Sequence, residues 1–128
     1  MSGPYILVVD DDSHMTKLVA YLLKPLGVPV LQAKNGAEAI EYALSDQILL
    51  LIIDNCMPGL SGLETLESLR NTTIGKQIPC ILLTGQDQTD LRSKAEKLSV
   101  LAYLTKPFSP TKLIEITKQT LEYKQINL

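Results

Sequence analysis

The sequence predicts an α/β protein in which a parallel sheet lies between two layers of helices, a doubly wound sandwich. Three observations carry that expectation. Five short apolar runs rich in β-branched residues alternate with five stretches of helical period, the signature of repeated strand–helix units. The runs are apolar at nearly every position, as strands buried on both faces must be, and they are too short to be buried helices. Acidic residues, a threonine and a lysine stand where the runs end, and a doubly wound sheet holds its ligand site beyond the carboxyl ends of its central strands.

The first strand is expected over Tyr5 to Val9. Met15, Leu18, Val19, Leu22 and Leu26 then recur at helical spacing, forming a one-faced helix that Asp12 or Ser13 caps and Gly27 stops. Val28 to Ala33 reads as the second strand, and Asn35 with Glu38 three residues on opens the second helix as a capping pair. Leu49 to Ile53 is the third strand, with Ser61 capping the helix that begins Gly62-Leu63-Glu64. Pro79 to Leu83 is the fourth, and Asp87 caps a helix running from about Gln88 to Leu98. Leu101 to Leu104 is the fifth. Ser109 followed by Pro110 starts the last helix, because proline is tolerated at the first helical position. Right-handed crossovers and short loops join these units, and 128 residues are room for one domain over 1–128, with about Gln125 to Leu128 as a tail.

Composition narrows the function classes. Hydrophobic residues make up 45% of the chain and charged residues 20%, so a packed core is expected rather than disorder. The net charge of -2 provides no global positive field for nucleic acid or an anionic membrane, and neither is expected as a partner of this domain. Cys56 and Cys80 lack the spacing of a zinc site or a disulfide framework, which points to a reducing compartment. The first residues do not read as a secretion signal, lacking its charged head and small-residue cleavage site, and no apolar run approaches the roughly 20 residues of a membrane span. The expected location is the cytoplasm.

The chemistry is expected at one rim of the sheet. The first strand ends in Asp10-Asp11-Asp12, the third in Asp54 and the fourth in Thr84, while Lys106-Pro107 follows the fifth. Three carboxylates gathered without a counterion would force one of them to protonate, so a hard divalent cation is the better explanation. Mg²⁺ fits, since it takes oxygen ligands and keeps waters that phosphate oxygens can replace. A zinc site would need His or Cys ligands, and the lone His14 reads as a solvated helix residue. Taken singly, each motif has a plainer reading: Asp10 to Asp12 as a helix cap, Asp54 as a turn former beside Pro58-Gly59. Together with a hydroxyl and a lysine they form a kit for phosphoryl transfer.

Leu7-Val8-Val9-Asp10-Asp11-Asp12, Ile52-Ile53-Asp54-Asn55-Cys56-Met57-Pro58-Gly59, Leu82-Leu83-Thr84-Gly85 and Tyr103-Leu104-Thr105-Lys106-Pro107-Phe108 resemble the response-regulator receiver domain of two-component signalling. The likeness covers about Tyr5 to Lys124, with all four motifs in order and at strand ends. It implies a flavodoxin-like sheet in the order 2-1-3-4-5. By resemblance, Asp54 is the phosphoacceptor. Asp11, Asp54 and the carbonyl of Cys56 ligate Mg²⁺ directly, and Asp10 holds it through water. Lys106 pairs with a phosphoryl oxygen, Thr84 moves to bond another, and Tyr103 swings inward as Thr84 moves. The Lys106-Pro107 bond resembles one that is cis in the family, and Cys56 and Gln86 match the positions that tune resetting.

The donor implied is a phosphohistidine of a sensor kinase or histidine phosphotransfer protein. The domain then acts chiefly as a switch that catalyses its own phosphorylation and dephosphorylation. Output is implied through the face of the fourth helix, fifth strand and fifth helix, toward an effector domain or protein. Ser99-Val100-Leu101-Ala102 stands where the transcription-factor branch carries acidic dimer contacts, which argues against that dimer type. Three alternatives compete: a degenerate receiver serving only as an interaction module, a phosphohydrolase of the haloacid dehalogenase type, and a nucleotide-binding protein. The second needs an aspartate where Cys56 stands; the third needs a glycine-rich phosphate loop that the chain lacks.

Overall fold

The structure is a computed structural model that describes residues 2–85 and 89–126. Its strands are β1 (Ser2–Val9), β2 (Val30–Ala33), β3 (Asp46–Asp54), β4 (Cys80–Thr84) and β5 (Ala102–Thr105). Its helices are α1 (Ser13–Leu23), α2 (Gly36–Ser45), α3 (Gly62–Arg70), α4 (Thr89–Lys97) and α5 (Pro110–Ile126). The sheet is parallel throughout, in the order β2-β1-β3-β4-β5, as the resemblance implied.

Side chains alternate across the strands, and each face has its own core. Leu7, Val9, Leu51, Ile53 and Leu82 meet Ala39, Leu66 and Ala95 of α2, α3 and α4 on one side. On the other, Ile6, Val8, Leu50, Ile52 and Leu83 meet Val19, Leu23, Leu113 and Leu121 of α1 and α5. Full burial of each such side chain is worth about 1.5–3 kcal/mol, which explains why the central strands are apolar at consecutive positions.

Helix boundaries follow local chemistry. Asp12 caps α1 by accepting from the His14 amide at 2.9 Å. That helix ends at Leu23 rather than Leu26, because Pro25 forces a 3-10 turn over Lys24–Leu26, closed by Gly27 at φ 80. Asn35 caps α2 through the Glu38 amide, and Ser61 with Glu64 forms a reciprocal capping box on α3. The Ser109 hydroxyl accepts from the Lys112 amide at the start of α5. The expected cap Asp87 lies outside the described residues. Two strands begin earlier than expected: Ser2 pairs with Asp46, which extends both β1 and β3. β2 begins later, since Pro29 has no amide to donate.

Candidate functional site

Register places the strand ends at one height. Val9 pairs with Ile53, Asp54 with Leu83, and Thr84 with Thr105, so Asp10, Asp54, Thr84 and Lys106 all emerge at the same rim. Asp10 and Asp54 are each 3% exposed, Thr84 is 1% exposed, and Asp11 is open to solvent. Carboxylate oxygens of Asp10, Asp11 and Asp54 lie within 4.8 Å of one another.

Into this cluster comes the ammonium of Lys106, 3.2 Å from Oδ2 of Asp10 and 3.1 Å from Oδ1 of Asp54. The first contact is a hydrogen bond. The second is an ion pair out of hydrogen-bond alignment, which leaves Oδ1 of Asp54 buried and accepting no hydrogen bond. Burial pushes the Asp54 carboxyl upward; the Lys106 ammonium pulls it down and the Asp10 charge adds to the rise, with a net shift upward. Burial presses the Lys106 ammonium downward, yet contact with Asp54 and Asp10 outweighs it and its pKa rises.

The Lys106-Pro107 bond is cis, as the resemblance implied, and the Lys106 amide donates to the Thr84 carbonyl at 2.6 Å. The segment after β3 is tied back as well. The Asn55 amide donates to Leu83 O at 2.8 Å, its carbonyl accepts from the Gly62 amide at 3.1 Å, and its Oδ1 accepts from the Leu63 amide at 3.0 Å. Asn55 thus joins the strand end to the first turn of α3, a role signalled only by an amide residue ahead of Pro58-Gly59.

The donor set suits a hard cation. Every candidate ligand atom is oxygen, two of the three carboxylates are buried, and one buried carboxylate oxygen has no hydrogen bond. His14 stands apart with its side chain 96% exposed. Cys56 is exposed with a free thiol, and Gln86 lies outside the described residues. Tyr103 is half-buried on β5, with the Arg92 guanidinium 5.0 Å from its ring centroid, a contact the sequence reading missed. It also missed Arg70, which has the outward look of any cation in a last helical turn. Its guanidinium instead turns inward, to the carbonyls of Leu98 at 2.8 Å, Ile78 at 2.7 Å and Gly75.

A five-stranded parallel sheet in this order, with an acidic cluster and a lysine at its carboxyl rim, is a doubly wound α/β domain with its candidate site beyond the strand ends. The family model for the response regulator receiver domain matches residues 6–118, and the chain belongs to that family. It is 31% identical over 121 residues to the phosphate regulon transcriptional regulatory protein PhoB of Pseudomonas aeruginosa, covering 94% of this chain and 53% of that protein. With the transcriptional regulatory protein CpxR of Escherichia coli it shares 38% over 109 residues, covering 85% of this chain and 45% of that one. The chain thus spans about half the length of these curated relatives. Among solved structures, the chemotaxis protein CheY4 of Vibrio cholerae superposes with a TM-score of 0.84 at 25% identity, covering 93% and 99% of the two chains. No helix among the described residues is long and apolar enough to cross a membrane.

Proposed function

We propose that this chain, as a single receiver unit, takes a phosphoryl group onto Asp54 from a phosphohistidine donor and switches the face of α4, β5 and α5. The observation that carries this is the meeting of Asp10, Asp11, Asp54 and Lys106 at one rim, with an Asp54 oxygen left without a hydrogen bond. A buried carboxylate held between an ammonium and other carboxylates is a poor place for a structural charge and a good one for a nucleophile.

In the step itself, an Asp54 carboxylate oxygen attacks phosphorus. The phosphorus–nitrogen bond of the donor breaks, its electron pair leaves with the imidazole nitrogen, and an acyl phosphate remains. Asp10, Asp11, Asp54 and the carbonyl of Cys56 would hold Mg²⁺, which when bound supplies positive charge against the incoming phosphate oxygens. Lys106 supplies a second positive charge, already placed at 3.1 Å from the nucleophile. Thr84, buried at the end of β4, would turn its hydroxyl to an acyl-phosphate oxygen. Water later hydrolyses the acyl phosphate and resets the domain.

Added charge at the rim biases Thr84 and Tyr103, which lie on one face of the sheet because Tyr103 pairs with Leu82, two residues before Thr84. Partners in this reading are a sensor histidine kinase or histidine phosphotransfer protein, and an effector met through α4, β5 and α5. The location is cytoplasmic, where such donors act.

Intact mass after incubation with Mg²⁺ and phosphoramidate tests the reading. The expected result is a labile gain of one phosphoryl group, absent without Mg²⁺ and absent in Asp54→Asn. No gain by a folded, Mg²⁺-binding protein would overturn it in favour of an interaction module.

A further inference from the structure

Helix α4 is the most lightly held layer of the sandwich. Of its described side chains only Ala95 is buried, and Leu91 is half-covered. A cavity of about 580 Å³ separates its first half from α3, lined by Ser61, Leu63 and Glu64 on one wall and Asp90, Leu91 and Lys94 on the other. Apolar packing therefore does little to fix that half.

The other end is anchored. Nε of Arg70 donates to the Leu98 carbonyl at 2.8 Å, while the same guanidinium bonds Ile78 O and Gly75 O, tying the end of α4 to the segment before β4. Ser99 adopts φ 58, and the amides of Ser99 and Val100 return to Glu96 O at 3.0 Å and Ala95 O at 3.2 Å, closing the helix in a Schellman turn. Val100 and Leu98 then pack on the core of that face.

Between this half of the helix and the sheet, a cation–π contact is found among the described residues. Arg92, in the fourth position of α4, places its guanidinium 5.0 Å from the centroid of the Tyr103 ring on β5, within the range of cation–π attraction. Tyr103 and the buried Thr84 share a sheet face, so the ring that meets Arg92 lies on the same side of the sheet as the strand end that carries Thr84.

We propose that Arg92 is a positioning residue that latches α4 in its resting place through the Tyr103 ring, with the Arg70 clamp as the fixed pivot, and so restrains phosphoryl uptake at the rim. This rests on the phosphoacceptor reading above. On that reading the phosphorylated state has Thr84 and Tyr103 rearranged, and a contact that favours the unphosphorylated arrangement lowers the population ready to react. Releasing the latch raises that population by the worth of one exposed cation–π contact.

The test compares first-order rates of phosphoryl uptake from phosphoramidate at saturating Mg²⁺ for the parent, Arg92→Gln, Arg92→Lys and Lys97→Gln, with Mg²⁺ affinity measured alongside. Arg92→Gln is expected to speed uptake about two- to fivefold, the size of such a contact, with Mg²⁺ affinity unchanged. Arg92→Lys, which keeps a cation over the ring, returns toward the parent. Lys97 is an exposed cation on the same helix, and its substitution leaves the rate alone. Loss of a positive charge alone would slow reaction with an anionic donor, so a faster Arg92→Gln cannot come from net charge. In the Tyr103→Leu background the Arg92→Gln effect disappears. An active parent with an unaltered or slower Arg92→Gln overturns the latch and leaves the acceptor reading intact. A parent that takes up no phosphoryl group overturns both.

Discussion

Lys106 sets its ammonium 3.1 Å from Oδ1 of Asp54, although β3 and β5 are separated in the sheet by β4. The lysine follows the last residue of β5 and reaches back across the rim, so it offsets the charge of two buried carboxylates. In the proposed reading this cation both competes with a divalent ion and helps the phosphoryl step. Lys106→Met keeps the stem and removes the charge. It is expected to slow uptake about 10- to 100-fold, the worth of a charge-assisted contact, while Mg²⁺ binding tightens. Mass-based uptake rates and calorimetric titration measure the two effects; an unchanged rate would show that the ammonium does not serve the transferred group.

The upward shift of Asp54 has a consequence for stability. Its folded pKa lies above the unfolded value, so the proton is held more tightly in the folded state. The contribution to stability is therefore fully present below the unfolded pKa of 3.8 and lost as pH rises through the folded pKa. At neutral pH the ionised side chain is a cost, and Asp54→Asn removes it. In metal-free buffer the variant is expected to melt above the parent at pH 7, with the gap closing toward pH 4. Adding Mg²⁺ reverses the order, since a ligand at a hundred times its Kd stabilises the parent by about 2.7 kcal/mol. Thermal melts across pH with and without Mg²⁺ decide it: a variant less stable than the parent in metal-free buffer at pH 7 contradicts the account.

Arg70 answers three carbonyls with one guanidinium, and burial lowers its pKa. Arg70→Met fills similar space but leaves Leu98 O, Ile78 O and Gly75 O without that donor. Each buried unsatisfied carbonyl costs about 1–3 kcal/mol, and partial access to water brings the expected loss to about 2–4 kcal/mol in urea unfolding. Hydrogen exchange should rise most at the end of α4, where the clamp is gone. A loss within about 0.5 kcal/mol, the scatter of ordinary surface substitutions, would make the clamp incidental.

Legibility divides along a physical line. The five strand–helix pairs and the rim that gathers Asp10, Asp54, Thr84 and Lys106 are visible in the chain because they depend on local apolar periodicity and on which residues end each run, whereas the strand order came from the family resemblance, since periodicity does not say which strands are neighbours. Caps such as Asn35 and Ser61 are legible for the same reason: donor and acceptor lie within one turn. Arg70 was not, because its partners Ile78 and Leu98 are set by how two loops fold over a helix end, and no spacing encodes that. Arg92 was hidden for a related reason, since a charged residue on a polar helix looks solvated until its neighbour on β5 is known. The early end of α1 is different in kind. Pro25 was in plain view, but the apolar spacing through Leu26 masked its effect.

Gly62 links the helix layer to the site. It is the first residue of α3, and a Cβ there would stand 2.7 Å from the carbonyl oxygen of Asp54 and 2.9 Å from Cα of Asn55. Both are backbone atoms of the very segment that aims the Asp54 carboxylate, and the Asn55 carbonyl already accepts the Gly62 amide at 3.1 Å. A methyl group must therefore push α3 away or displace the strand end, and overpacking of this kind costs about 1–3 kcal/mol. Gly62→Ala is expected to lose that stability and to weaken Mg²⁺ binding severalfold, because the carboxylates of Asp10, Asp11 and Asp54 no longer meet at their present spacing. Ser68→Ala, an exposed change in the same helix, controls for helix propensity and should move neither quantity. Lower stability with unaltered Mg²⁺ affinity would mean that α3 yields and the rim does not, and that the close approach serves packing alone.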